Sequence, residues 1–261
     1  MLCKAAYKTT IEIYIFLHSH LVVLPMTKVQ QGTGEYLPRK EDCLAAARKF
    51  GIYAKKIRGD IPLVGSPERS AFRTAVQNEK NELYILESVF VHGIQRKEQI
   101  ACSLDLLANH QLQGIVPYLP SPDGGHLLHD EHGYWLMSAY VPGEPLKRPD
   151  YAFERWRGRA FADFLLSLKK KAALLSIKSN GPFFSIASYA THIMEDLKQN
   201  DPEFLPWFLP FFQQLETSFF PGHDVLPRWF CHGDFHPMNM IWGKDTIKAV
   251  IDWEFSGIKP E

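Results

Sequence analysis

No two cysteines of this chain stand at C-x-x-C spacing. Cys3, Cys43, Cys102 and Cys231 lie far apart, which argues against a zinc ribbon and a disulfide framework and points to a reducing cytoplasm. An excess of charge of one sign is lacking too. Lys+Arg and Asp+Glu number 29 each among 261 residues, and the longest like-charge run is the KKK of 169–171. By charge, neither nucleic acid nor an anionic membrane is expected as a partner. Long apolar runs are also missing. IEIYIFLHSHLVVLP (11–25) carries Glu12, His18 and His20, falls short of the roughly 20 residues of a membrane span and lacks the small-residue cleavage site of a signal peptide. A buried strand or a loosely held extension is expected there, with Met26 as an alternative natural start. Internal repeats and low-complexity tracts are absent.

What is present is enough apolar sequence for a full core. Of the residues, 46% are hydrophobic, in a length that suits one large domain or two modest lobes. EDCLAAARKF (41–50) predicts a helix that Gly51 stops. YAKKIRG (53–59), SAFRTAVQ (70–77) and ELYILESVF (82–90) read as strands, the last two joined by the polar turn NEKN. RKEQIACSLDLLANH (96–110) places Ile100, Leu104 and Leu107 on one helical face. After GIVPYL and the turn SPDGGH comes the strand GYWLMSAY (133–140). VPGEPLKRP (141–149) is dense in Pro and Gly, as a connector between lobes is. Beyond it Phe153, Trp156, Ala160, Phe161, Phe164, Leu165 and Leu168 recur at steps of three and four, which predicts a long amphipathic helix. Further helices are expected over 188–199 and 203–217, and NMIW and IKAVIDW read as short strands about the turn GKDT. The expected order is an N-terminal extension (1–35), a strand-rich lobe with a helix (36–140), a connector (141–149) and a helical lobe (150–261) that carries a polar loop and a hairpin. That is an α+β fold.

The polar loop is CHGDFHPMN (231–239). Cys231, His232 and His236 are ligand types that zinc accepts, but no second Cys/His pair stands at ligand spacing elsewhere. A turn whose Asp and Asn satisfy its own backbone is the plain alternative. The company the loop keeps argues for chemistry. Asn239 follows Asp234 by five positions, and Asp252 follows Asn239 by thirteen, at the end of an apolar strand. Phosphoryl transfer uses such a set: one carboxylate takes or orients the proton of the attacking hydroxyl, while an Asn oxygen and a second carboxylate hold Mg2+ on the nucleotide phosphates.

HGDFHPMN with the later IDWE resembles the catalytic signature of the aminoglycoside and choline phosphotransferase family, relatives of the protein kinases. That pattern is H-G-D-x-x-x-x-N and then a strand ending in D-x-[DE]. The likeness spans about 53–255, and YWLMSAYVPGEPL is similar to the family's hinge strand and Pro-Gly turn. With ELYILE and RKEQIACSLDLLA it is also similar to the homoserine-kinase-like and sugar-kinase-like branches. The resemblance implies a two-lobed protein-kinase-like fold, with a small antiparallel-sheet N-lobe and a mainly helical C-lobe. It implies a phosphotransferase that uses ATP and Mg2+ on a hydroxyl of a small molecule. Carried over to this sequence, Asp234 is the catalytic base, Asn239 and Asp252 are Mg2+ ligands, and the backbone of Ser138, Ala139 and Tyr140 holds the adenine. His232 is expected to brace the loop. His236 either shapes the loop or lines the acceptor pocket, and Glu254 either reaches the metal shell through water or is a polar strand-end residue.

Two departures stand out. The family's third strand carries a lysine for the nucleotide phosphates, whereas YILESV has Glu87 there. Arg73 or Arg69 is then expected to supply the cation, with Glu98 on the following helix as its partner or as an ordinary exposed charge. The chain also stops nine residues after Asp252, where the family continues into further helices. A truncated chain is expected, with apolar faces of the large lobe left exposed. A non-catalytic nucleotide-binding or structural remnant is the rival to the enzyme. A hydrolase using Asp234 and His236 as an acid/base pair leaves Asn239 and Asp252 unexplained. The acceptor and the oligomeric state are not specified by the sequence.

Overall fold

Helix α1 (Lys40–Lys49) opens the part of the chain that can be described; the computed structural model describes residues 38–63, 70–147, 149–175 and 185–260. The expectations for residues 1–35 and for Arg69 lie outside that set. In α1 the Asp42 carboxylate accepts the Arg39 backbone N–H at 2.8 Å. Acids in the first turn and bases in the last complement the helix dipole. Gly51, at φ +77°, ends the helix. Small buried residues on its inner face, Cys43, Ala46 and Ala47, let the helix pack closely on the sheet beneath it.

That sheet has five strands in the order β1-β2-β3-β5-β4, every neighbouring pair antiparallel. They are β1 (Ala54–Ile57), β2 (Phe72–Asn78), β3 (Leu83–Val89), β4 (Leu128–Asp130) and β5 (Gly133–Ala139). The β2–β3 turn is made by its asparagines. Asn78 Oδ1 accepts the N–H groups of Lys80 and Glu82, both at 2.9 Å, and Asn81 takes the left-handed φ of 64° that Asn tolerates. Val76, Leu86, Trp135 and Met137 alternate inward and bury against α1.

A second core lies between α2 (Ile94–Asn109), α3 (Arg155–Leu175) and the polar-loop region. Ile100, Leu104 and Leu107 meet Phe164, Leu168 and Ala172, together with Trp242, Val250 and Trp253. The helices expected over 188–199 and 203–217 are α4 (Ile186–Asn200) and α5 (Leu205–Ser218), and the short α6 (Phe220–Asp224) follows them.

Around the polar loop two small ladders form: β6 (Arg228–Cys231) with β9 (Gly257–Pro260), and β7 (Met240–Trp242) with β8 (Ile247–Val250). EFSGIKPE, which carries no strand pattern of its own, supplies β9, with Phe230 opposite Ile258. One expectation is corrected here. IKAVIDW is a strand only as far as Val250, after which Asp252 turns left-handed. The 141–147 stretch of the connector has no regular structure but is fastened to the second hairpin. Glu144 N–H donates to Trp242 O at 2.8 Å, Lys248 Nζ donates to Pro142 O at 3.0 Å, and a Cβ on Gly143 would stand 2.6 Å from Ile241 Cγ2.

Leu86 is fully buried at the centre of the sheet's core. Leu86→Ala is expected to cost about 2–5 kcal/mol, read as a lowered midpoint in urea unfolding.

Candidate active site

The loop after β6 is built around one histidine. His232 is almost wholly buried. Its Nε2 donates to the carbonyl of Ile251 at 2.9 Å, and its Nδ1 accepts the backbone N–H of Asp234 at 3.2 Å. Those bonds fix the tautomer, and burial holds the imidazole below its ordinary pKa of 6.5, so the ring is neutral. Both nitrogens are used, which leaves His232 no lone pair for a metal and disposes of the Cys231–His232–His236 zinc set. Among the described residues no group of three or more His, Cys, Asp or Glu side chains is placed to hold a metal ion.

Gly233 permits the turn from His232 to Asp234. Its φ is +86°, and a Cβ there would lie 2.2 Å from the carbonyl oxygen of Phe255. The hairpin therefore presses directly on the loop. Asn239, buried at the other end of the loop, donates Nδ2 to Asp234 O at 2.9 Å and to Asp234 Oδ2 at 3.0 Å. Its backbone carbonyl accepts the Ile251 N–H at 2.9 Å. With the amide nitrogen committed to Asp234, the amide oxygen is the atom Asn239 has for a cation. His236 Nδ1 caps the short turn at 237–239 by accepting the Met238 N–H at 3.2 Å, and its Nε2 lies 3.5 Å from Asp234 Oδ1.

Asp252 sits one residue beyond the backbone pairing of Asn239 with Ile251, at φ 65°, ψ 58°. A left-handed non-glycine residue costs on the order of 1 kcal/mol, and the segment after it is held by a neighbour. Arg96, on α2, donates Nε and Nη2 to Glu254 O at 3.0 and 2.6 Å, and Nη2 to Ser256 O at 2.5 Å. Burial lowers the Arg96 pKa, though Glu254 partly offsets the effect.

Beside this turn runs a chain of alternating charge. Arg73 on β2 stands opposite Glu87 on β3, with Nη2 to Oε2 at 3.0 Å. Glu87 Oε1 lies 2.5 Å from Lys97 Nζ, and Lys97 also bonds Glu254 Oε1. Burial pulls the Arg73 pKa down, but Glu87, with Tyr118 and Asp252 nearby, raises it overall. Burial and the carboxylates of Glu87 and Glu254 push the Tyr118 phenol well above its ordinary value.

Asp234, Asn239, His232 and His236 are thus brought into one bonded loop, and Asp252 and Glu254 follow from the adjoining hairpin. Ser138, Ala139 and Tyr140 lie at the end of β5, on the sheet, where Tyr140 N–H donates to Leu83 O at 2.9 Å. Glu98 is exposed and is not the partner of the cation. The helix residue that faces inward is Lys97, which sequence reasoning missed. The signal was there: 97, 100, 104 and 107 form one helical stripe, and Lys97 is its single charged member.

Sheet, connector and helical part with a polar loop and acidic hairpin define a protein-kinase-like α+β fold. Spectinomycin phosphotransferase APH(9)-Ia, solved with ADP and spectinomycin, aligns with 86% of this chain over 71% of its own, at TM-score 0.60 and 14% identity. Macrolide 2'-phosphotransferase MphH from Brachybacterium faecium aligns with 83% of this chain over 72% of its own, at TM-score 0.59 and 16% identity. The streptomycin–ATP–APH(2")-IIa ternary complex gives 86%, 73%, TM-score 0.60 and 14% identity. In sequence, no curated protein matches. Residues 91–260 match the profile of APH, the phosphotransferase enzyme family, and the chain belongs to that family.

Two outcomes follow from the loop's geometry. Because His232 is neutral in the fold with a lowered pKa, its contribution to stability is complete above about pH 6.5 and is lost as pH falls through the folded value. The stability gap between the native chain and His232→Asn, measured by urea unfolding, is expected to narrow on acidification; a gap independent of pH would contradict this. Gly233→Ala, with its Cβ against the Phe255 backbone, is expected to cost more than about 2 kcal/mol in the same assay.

Proposed function

We propose that this chain transfers the γ-phosphoryl group of ATP to a hydroxyl of a small molecule, using Mg2+. The observation that carries the proposal is the bonding of Asp234, Asn239 and the Asp252 turn into one unit. Asn239 holds Asp234 by side chain and the Ile251 backbone by its backbone carbonyl. The donors fit the ion: an amide oxygen and a carboxylate are hard ligands, and Mg2+ is commonly bound by one or two carboxylates, substrate phosphates and water. Asn239 Oδ1 and the Asp252 carboxylate would hold the ion, which neutralises charge on the nucleotide phosphates.

Asp234 is the base. Asn239 occupies Oδ2, so Oδ1, beside His236 Nε2, meets the acceptor hydroxyl. As the hydroxyl oxygen bonds to the γ-phosphorus, its proton passes to Oδ1 and the bond to the bridging β,γ-oxygen breaks, releasing ADP. Nothing covalent forms with the protein, so rate comes from placement and charge.

Arg73 supplies the cation that Glu87 cannot. It lies on the sheet within the field of Asp252, and its buried Nε has no hydrogen-bond partner. At the end of β5 the backbone of Ser138, Ala139 and Tyr140 receives the adenine. The Tyr140 N–H is committed to Leu83, so that residue contributes its carbonyl oxygen. The scattered cysteines, none at C-x-x-C spacing, support the reducing cytoplasm as the compartment of the reaction. No described helix is long and apolar enough to cross a membrane.

Asp234→Asn is expected to abolish phosphoryl transfer, assayed as ADP release with a panel of hydroxyl compounds, while nucleotide affinity stays close to native. Transfer at the native rate would refute Asp234 as base. Asp252→Asn is expected to weaken Mg2+-dependent nucleotide binding tenfold or more by calorimetric titration, and unchanged affinity would remove Asp252 from the metal site.

A further inference from the structure

Lys97 is 2% exposed, on a helix face otherwise made of Ile100, Leu104 and Leu107. A buried ammonium is costly unless it is paired. This one is paired twice, with Glu87 on the sheet and with Glu254 two residues beyond Asp252. Arg96, its neighbour on the helix, takes the carbonyl oxygens of Glu254 and Ser256. Two consecutive helical cations therefore grip the turn that follows Asp252, one by side chain and one by backbone. The polarity is reversed from the arrangement expected by resemblance: the acid is on the strand and the base on the helix.

We propose that Lys97 is a positioning residue for the divalent-ion site. Through Glu254 it holds the 252–254 turn, and so the left-handed Asp252, in the conformation that receives the ion. Through Glu87 it ties that turn to the nucleotide-side sheet. This rests on the assignment of Asp252 to the metal. Lys97 touches neither the ion nor the reacting atoms. Its action depends on having both carboxylates at once. A mirror-image exchange, Glu87→Lys with Lys97→Glu, therefore does not reproduce it, because the new carboxylate at 97 would face Glu254.

The test is titration of Mn2+ into the full chain with a non-hydrolysable ATP analogue, following free Mn2+ by its electron paramagnetic resonance. Lys97→Met is expected to weaken Mn2+ binding at least tenfold, with the metal-free affinity for the analogue changed less than threefold. The exchange variant is expected to remain as weak. Lys97 acts through Glu254, so Lys97→Met combined with Glu254→Gln should lose no more than the worse of the two single variants. If Lys97→Met does not fold, Lys97→Gln, which keeps a donor between the two carboxylates, replaces it throughout. Native Mn2+ affinity in the folded Lys97 variant, recovery in the exchange variant, or additive losses in the double variant would each overturn the proposal. Asp252→Asn separates this from the assignment beneath it. If it loses Mn2+ and Lys97→Met does not, only the role of Lys97 fails. If Asp252→Asn binds Mn2+ as the native chain does, the metal assignment fails and the proposal falls with it.

Discussion

The hydrogen bond from His232 Nε2 to the carbonyl of Ile251 is the tie on which the site depends. It joins the loop that presents Asp234 to the hairpin that presents Asp252, and the second nitrogen of the same ring fixes the Asp234 N–H. Asn239 closes the unit from the other side, bonding Asp234 by its side-chain amide and Ile251 by its backbone carbonyl. A neutral ring is required, since a protonated Nδ1 has no lone pair for the Asp234 N–H. Burial supplies that neutrality. Gly233 makes the join possible by letting the Phe255 carbonyl approach where any side chain would stand.

Around this unit stands a run of charge, buried at Glu87 and Lys97 and partly buried at Arg73 and Glu254. Arg73, Glu87, Lys97 and Glu254 alternate in sign, so each is compensated by a neighbour in surroundings that penalise isolated ions. Buried ion pairs often add little net stability over a well-packed apolar replacement, yet removing one partner costs about 3–5 kcal/mol. Such a chain is better understood as placement than as reinforcement. It connects the sheet, α2 and the turn after Asp252. Arg96 adds a backbone grip on that turn, offsetting the strain of the left-handed residue.

Much of this was legible in the sequence because it is local. The N-E-K-N turn, the helix ended by Gly51, and the three-and-four spacing of α2 and α3 depend on residues close together in the chain. The loop signature is likewise local, within 232–239, with its partner Asp252 a short hairpin away. What was not legible depends on pairing at a distance. β9 is four residues containing Gly and Pro, and it becomes a strand only because β6 lies alongside. The end of β8 at Val250 follows from Asp252 turning left-handed, which no periodicity signals. Lys97 is a different case. It stands on the apolar stripe of α2, but a single lysine there reads as an interruption until Glu87 and Glu254 are seen to meet it. Glu98 carried the expected charge sign, and helical phase put it in solvent.

The bonded unit of Asp234, Asn239 and the Asp252 turn is proposed to form a nucleotide site that requires a divalent ion. A thermal melt of the purified chain, with and without ATP, in Mg2+ and then in EDTA, tests it most directly. Ligand at a hundredfold excess over its dissociation constant adds about 2.7 kcal/mol. ATP is expected to raise the melting temperature of a cooperative transition in Mg2+, and EDTA to abolish the rise. A cooperative melt that ATP leaves unchanged in Mg2+ would contradict the proposal.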